Sequence, residues 1–289
     1  MLGKTGLRVS VVGLETHQWS GMGGRFFTVE DIRAILARAR TAGINFIDTG
    51  ECYFFHSAER LIGEALGKER GKWIIATKFG HISKPKEIIA AWSADDIQKQ
   101  LDDSLRALTA DYIDLYQVHI NSKEDMRHIH TNMSALQSIL GEAKKAGKIR
   151  AVGAVLGDDE LFGADGKLLS LLIKKVGIET VQVVYNRVSR EAERRIFPLA
   201  KKHGLGVIAR VPLAKGYLSS RFKPTNKSYD AARMAVVEKI KKEEVPAGVD
   251  IAEWAIRWCT KNPIVSSVVP GHSASEQIDS TVRASRLAL

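Results

Sequence analysis

Short apolar, β-branched runs alternate with longer segments of helical period from one end of this 289-residue chain to the other, and that alternation restricts its fold more than any other feature. The strand candidates are residues 9–14, 45–48, 73–77, 113–118, 149–155, 181–185, 206–209 and 266–269. Helical patterns fill the intervals at 29–41, 58–66, 94–108, 133–146, 159–176, 193–202, 251–261 and 275–286. Strands that are apolar on both faces and separated by helices imply a parallel sheet covered by helices. Eight such units in a chain of this length favour an α/β fold closed as a (β/α)8 barrel (a TIM barrel) over an open doubly wound sheet. Local chemistry agrees: Ser93 precedes Asp96 in a Ser-x-x-acid capping arrangement, and Gly43 and Gly204 follow helical stretches where a left-handed cap is needed. Two stretches fall outside the repeat. Residues 1–8 read as a short β-hairpin turning at Thr5-Gly6, and the connection 211–249 reads as an extra helical segment before the last βα units. No linker divides the chain, so one domain over 1–289 is expected.

Composition narrows the class. With 45% hydrophobic residues, 24 Gly and 7 Pro, the chain has enough apolar surface to offset its ordering entropy, which excludes disorder as its main state. No run of about 18 apolar residues suggests a membrane helix, and the first residues lack the apolar core of a signal peptide, so a cytoplasmic protein with no membrane partner is expected. Cys52 and Cys259 form neither a C-x-x-C pair nor a zinc pattern, so no metal site is expected. The net charge of +10 favours encounters with anions, yet the basic residues are scattered along helical patterns; a solvated surface is favoured and no nucleic-acid partner is expected.

Nucleotide-loop motifs fail on context. The G-x-G-x-x-A match at Gly204–Ala209 lies between a helix and a strand, the reverse of a Rossmann unit. In an eight-stranded barrel, however, polar residues at the C-terminal ends of strands point into one mouth. Asp48 ends the second strand, Tyr53 follows it, Lys78 ends the third and His119 the fourth. Singly, each has a structural reading: a helix cap, packing with Phe54 and Phe55, a surface lysine, a core histidine. Together they are equipment for delivering a proton to a carbonyl, with the lysine expected to lower the tyrosine pKa, the aspartate keeping the lysine charged and the histidine binding a substrate oxygen.

These residues sit in blocks that resemble the aldo-keto reductase family along the whole chain: LGKTGLRVS, GINFIDTGECY, ATKFG, DYIDLYQVH, GKIRAVG, VQVVYNR, GLGVIARVPLAKGYLSS and SSVVPGHSASEQ. The resemblance implies a cytosolic oxidoreductase, monomeric or a small homo-oligomer, that reduces a small-molecule aldehyde or ketone with NADPH, NADH being left open. It implies catalytic roles for Asp48, Tyr53, Lys78 and His119, with Tyr53 as proton donor. For the cofactor it implies Thr16 on the first strand, Gln182 on the carboxamide, Arg210 against the ring, Val211, Pro212, Leu213, Ala214 and Lys215 as a pyrophosphate strap, Arg221 above it, and Gly271, Ser273 and Gln277 at the adenosine phosphate.

Four blocks depart from the family. Val155 and Leu156 stand where small polar residues hold the carboxamide, Glu15 introduces a carboxylate before Thr16, and Ser280 and Thr281 replace the adenine-gripping pair. Phe54, Phe55 and His56 replace a glycine-rich loop and are expected to narrow the mouth. Val155 and Leu156 motivate an alternative, a redox-neutral enzyme with bound NADP(H); a weakly active nucleotide-sensing subunit is a third reading.

Overall fold

The apolar runs pair as their alternation requires. In a computed structural model, which describes residues 1–21, 24–157, 166–220, 222 and 230–288, the strands are β1 (Leu14–Glu15), β2 (Phe46–Asp48), β3 (Ile74–Phe79), β4 (His81–Ser83), β5 (Ile88–Ala90), β6 (Ile113–Ile120), β7 (Ile149–Leu156), β8 (Thr180–Val184), β9 (Gly206–Arg210) and β10 (Val265–Val269). Apart from β4 and β5, all stand in one parallel sheet ordered β1-β2-β3-β6-β7-β8-β9-β10. Parallel bridges from Val12 to Val268 and from Glu15 to Gly271 join its two ends, giving the (β/α)8 barrel. Every residue of β6 and β8 is buried, as a sheet covered on both faces demands.

Helices Val29–Thr41, Ser57–Leu66, Ala94–Ala107, Met133–Lys145, Gly166–Lys175, Ala192–His203, Ile251–Thr260 and Glu276–Arg286 surround the sheet. Of the expected helix at 159–176, residues 159–165 lie outside the described residues. Ser93 and Asp96 form a reciprocal capping box, and Gly43 and Gly204 end their helices at φ +85° and +64°. The extra segment before the last units is the helix Ala231–Glu243.

The first strand differs from expectation. It covers Leu14–Glu15 rather than 9–14, because Ser10 bonds the Asn45 side chain instead of a strand partner (N–H to Oδ1, 2.7 Å) and Val12 makes only an isolated bridge to Val268. Residues 1–8 make a tight turn without a strand ladder: Leu2 N–H donates to the Leu7 carbonyl at 2.9 Å, and Thr5 N–H to that of Leu2 at 3.2 Å. That turn stoppers the barrel. Leu2 and Leu7 pack with Phe46, Ala76, Leu115, Ala151, Ile208 and Val269, buried residues of six strands. The antiparallel hairpin β4–β5 and the helix Lys123–Thr131 have no counterpart in the sequence reading; β4 and β5 are three residues each, too short to show a period.

Candidate active site

Side chains alternate along a strand, so the residues two above the apolar floor face the same interior. Above Phe46 comes Asp48, above Ala76 comes Lys78, above Leu115 come Gln117 and His119, and above Ile208 comes Arg210. The strand period thus lifts polar groups into the mouth from an apolar base.

Three donors converge on Asp48. Lys78 Nζ lies 2.6 Å from Oδ2, while Gln182 Nε2 and Gln117 Nε2 donate to Oδ1 at 2.8 and 3.1 Å. Lys78 Nζ also donates to the Thr49 carbonyl at 2.5 Å and to Tyr53 Oη at 3.0 Å. His119, on the neighbouring strand β6, lines the same mouth. Burial at this depth makes each unpaired charge costly, so the set is stable only as a set.

The tyrosine corrects one expectation. Its pKa is held well above the usual phenol value rather than lowered, because burial dominates and the Glu15 and Asp48 carboxylates add to it. Lys78 fails to reverse this because its charge is already countered by Asp48. Burial, with His81, Lys78 and Arg210, holds His119 well below the ordinary histidine value. Glu15 is raised to about 7, first by burial and then by Asp48, against Lys78.

The loop after Tyr53 corrects another. Phe54, Phe55 and His56 are consecutive left-handed residues at φ +54°, +55° and +60°, a sparsely populated conformation for bulky side chains. His56 fixes the run: Nδ1 contacts Glu59, whose other oxygen accepts the Thr77 hydroxyl at 2.6 Å, and Nε2 lies 3.8 Å from Glu51. This geometry turns Phe54 and Phe55 outward, 44% and 37% exposed and outside the cavity wall, so they do not narrow the mouth.

A cavity of about 740 Å³ opens above Asp48, Tyr53, Lys78 and His119. Of the residues expected at a cofactor, Gln182, Arg210, Val211, Pro212, Leu213, Lys215 and Gly271 line it. Gln182 directs its amide to Asp48, and Arg210 Nη2 donates to the Leu156 carbonyl at 3.1 Å. Thr16 is buried with its N–H on the Asp48 carbonyl, and Ala214 is buried in the strap. Gln277 Oε1 accepts the N–H groups of Ser273 at 2.7 Å and Ala274 at 3.2 Å, a cap within its own helix start. Arg221 lies outside the described residues.

Ser280 bonds Glu253 and Thr281 bonds His272. Sequence reasoning missed Ile88 and Asn121 in the wall, and His81 and Asp125 behind it. Asp125 had a legible signal, since Ser122 stands three residues before it and the two form a capping box.

These groups stand together at the C-terminal ends of the barrel strands, and comparison with known proteins gives the class of the chain. The sequence matches the Aldo/keto reductase family over residues 12–289, and the chain belongs to that family. It is similar to L-galactose dehydrogenase of Arabidopsis thaliana, 29% identical over 297 residues that cover 98% of this chain and 86% of that protein. It is also similar to the NADH-specific methylglyoxal reductase of Escherichia coli strain K12, 26% identical with coverage of 98% and 92%. Among solved structures, an aldo-keto reductase from Bacillus halodurans in its holo form superposes with a TM-score of 0.83 at 27% identity, covering 100% of this chain and 90% of that one.

Proposed function

We propose that the protein reduces an aldehyde or ketone to an alcohol, with Tyr53 supplying the proton. One observation carries the reading: Lys78 Nζ bridges the Asp48 carboxylate and the Tyr53 hydroxyl at the floor of a cavity that His119 also lines. A carbonyl oxygen between Tyr53 and His119 would receive two hydrogen bonds, and the Tyr53 O–H bond breaks as the alcohol O–H forms. The high Tyr53 pKa keeps the acid loaded, and Lys78 stabilises the phenolate left behind.

A nicotinamide dinucleotide fits the remaining wall. Arg210 and Lys215 offer positive charge on one side. On the other, Gly271 lines the cavity with backbone alone, and an added Cβ would stand 2.8 Å from Gln18 Nε2, which lines it too. Gln182, Arg210, the 211–215 strap and Gly271 would hold that group, with Thr16, Arg221, Ser273 and Gln277 completing the set, and NADPH is the cofactor proposed, with NADH the competitor to test. When bound, it supplies the hydride that the protein cannot.

The experiment is consumption of NADPH or NADH, followed by absorbance, against a panel of small aldehydes and ketones. Tyr53→Phe should lower kcat by roughly 10²-fold or more while leaving dinucleotide binding in place. Turnover that survives this change removes Tyr53 as proton donor. Substrate conversion without net dinucleotide oxidation supports a redox-neutral reaction instead.

A further inference from the structure

The chemistry above leaves three buried groups unused, and all converge on one side chain. His119 is approached by the Cys52 sulfur, 3.9 Å from Nδ1, and by the His81 ring, packed edge to face with centroids 5.1 Å apart. His81 is anchored in turn, its Nε2 lying 3.1 and 3.2 Å from the two Asp125 oxygens. That carboxylate also accepts Trp92 Nε1–H at 3.0 Å, Asn121 N–H at 2.9 Å, Ser122 N–H at 2.8 Å and the Ser122 hydroxyl at 2.8 Å. Cys52, His81, Trp92, His119 and Asp125 are all buried. A carboxylate engaged by so many donors has no freedom to turn, so His81 is fixed against His119.

We propose that Cys52, His81 and Asp125 are positioning residues that set His119 as a neutral imidazole with its proton on Nε2, the nitrogen that Cys52 leaves for a substrate oxygen. A neutral imidazole has one donor and one acceptor nitrogen, and the neighbour of one decides the other. Burial pushes the Cys52 thiol up to about 12, so the sulfur keeps a hydrogen to donate, and in the proposed arrangement the thiol donates and Nδ1 accepts. Protonation of Nδ1 is then opposed from several sides. His81 on β4, Lys78 on β3 and Arg210 on β9 all disfavour a second proton on the ring, and Asp125, behind His81, is the acid that favours it. Asp125 itself is held well below the usual carboxylate range, where the bonds from His81, Asn121 and Ser122 outweigh its burial.

For catalysis the consequence rests on the carbonyl-reduction reading. His119 orients the substrate oxygen as a hydrogen-bond donor, and the proton transferred is the one on Tyr53. No electrons or atoms move through Cys52, so its role requires the reduced thiol alone.

The test is ¹⁵N-histidine labelling of the whole protein without cofactor and two-bond ¹H–¹⁵N correlation, the His119 signals being assigned by their loss in His119→Asn. Wild type should show the Nε2–H pattern, unchanged from about pH 8 to about pH 5. Cys52→Ala should admit the Nδ1–H tautomer, and Cys52→Ser, which keeps a donor, should restore the wild-type pattern. His81→Gln should raise the pH at which His119 takes up its second proton, with burial still holding it below the ordinary histidine value, whereas Asp125→Asn, which removes the acid that favours that proton, should not raise it.

With a reducible carbonyl, Cys52→Ala should lower kcat by roughly twofold or more through the lost tautomer fraction, leaving KM for the dinucleotide unchanged. An Nδ1–H tautomer in wild type, or His119 signals that neither Cys52→Ala nor His81→Gln alters, overturns the proposal. The expected spectra with no carbonyl turnover by any form overturn carbonyl reduction and leave the tautomer assignment standing.

Discussion

Glu15 and Asp48 are register partners on neighbouring parallel strands, so two carboxylates rise into the mouth side by side. Burial raises the Glu15 pKa to about 7, which makes it neutral in acid and anionic in base. Affinity for an anionic dinucleotide should therefore fall as pH rises through about 7, by roughly tenfold for one added charge at several ångströms. Glu15→Gln should bind NADPH and NADH equally well across that range. Quenching of tryptophan fluorescence, titrated at several pH values, measures both; a wild-type affinity independent of pH would place the Glu15 charge away from the cofactor.

Lys78 is the cation of a buried pair whose partner has further donors but, among the described residues, no other charge at hydrogen-bonding distance. Lys78→Met should cost about 3–5 kcal/mol of stability because it leaves Asp48 buried without a counter-charge. Adding Asp48→Asn should recover part of that loss. Urea denaturation of the two single variants and the double variant gives the coupling.

Glu51 shares a buried cluster with Glu59 and His56, and burial together with Glu59 raises its pKa from 4.5 to about 9. The folded state binds this proton more tightly than the unfolded chain does. Its stabilising contribution is thus complete below about pH 4.5 and is lost as pH climbs toward 9, at up to about 1.4 kcal/mol per pH unit. Glu51→Gln should flatten that decline and raise Tm at pH 8 relative to wild type. An unchanged slope in thermal melts from pH 5 to about 9 would show that Glu51 is not the group responsible.

Gly206 faces the amino-terminal turn, where an added Cβ would stand 2.7 Å from Leu2 Cδ1 and 2.8 Å from the Leu2 carbonyl carbon. Gly206→Ala should destabilise the fold by about 1–3 kcal/mol, since the contact includes backbone that has nowhere to retreat. Chemical denaturation measures it, and a neutral effect would mean that the turn moves freely.

How much of this was readable beforehand depends on length scale. The eight repeats were legible because each inward run carries its own period, and Asp48, Lys78 and His119 were legible because the barrel sends strand ends to one mouth. The first strand was misplaced because the run at 9–14 makes only an isolated bridge at Val12, and at Ser10 the Asn45 side chain takes the place of a strand neighbour. Phe54 and Phe55 were assigned to the mouth because nothing in one dimension shows three successive left-handed residues. The sign of the Tyr53 shift was missed for a similar reason. Proximity to Lys78 was visible in the pattern, but the depth of burial and the approach of Glu15 are properties of the assembled barrel.

The stopper formed by Leu2 and Leu7 also acts as insulation. With Leu2 and Leu7 packed against Phe46, Ala76, Leu115 and Ile208, hydrocarbon lies beneath the Asp48–Lys78 pair while the cavity opens above it. Field lines from that pair are poorly screened downward and emerge through the open end. Traffic of charge through this barrel is one-sided because its amino terminus seals the other side.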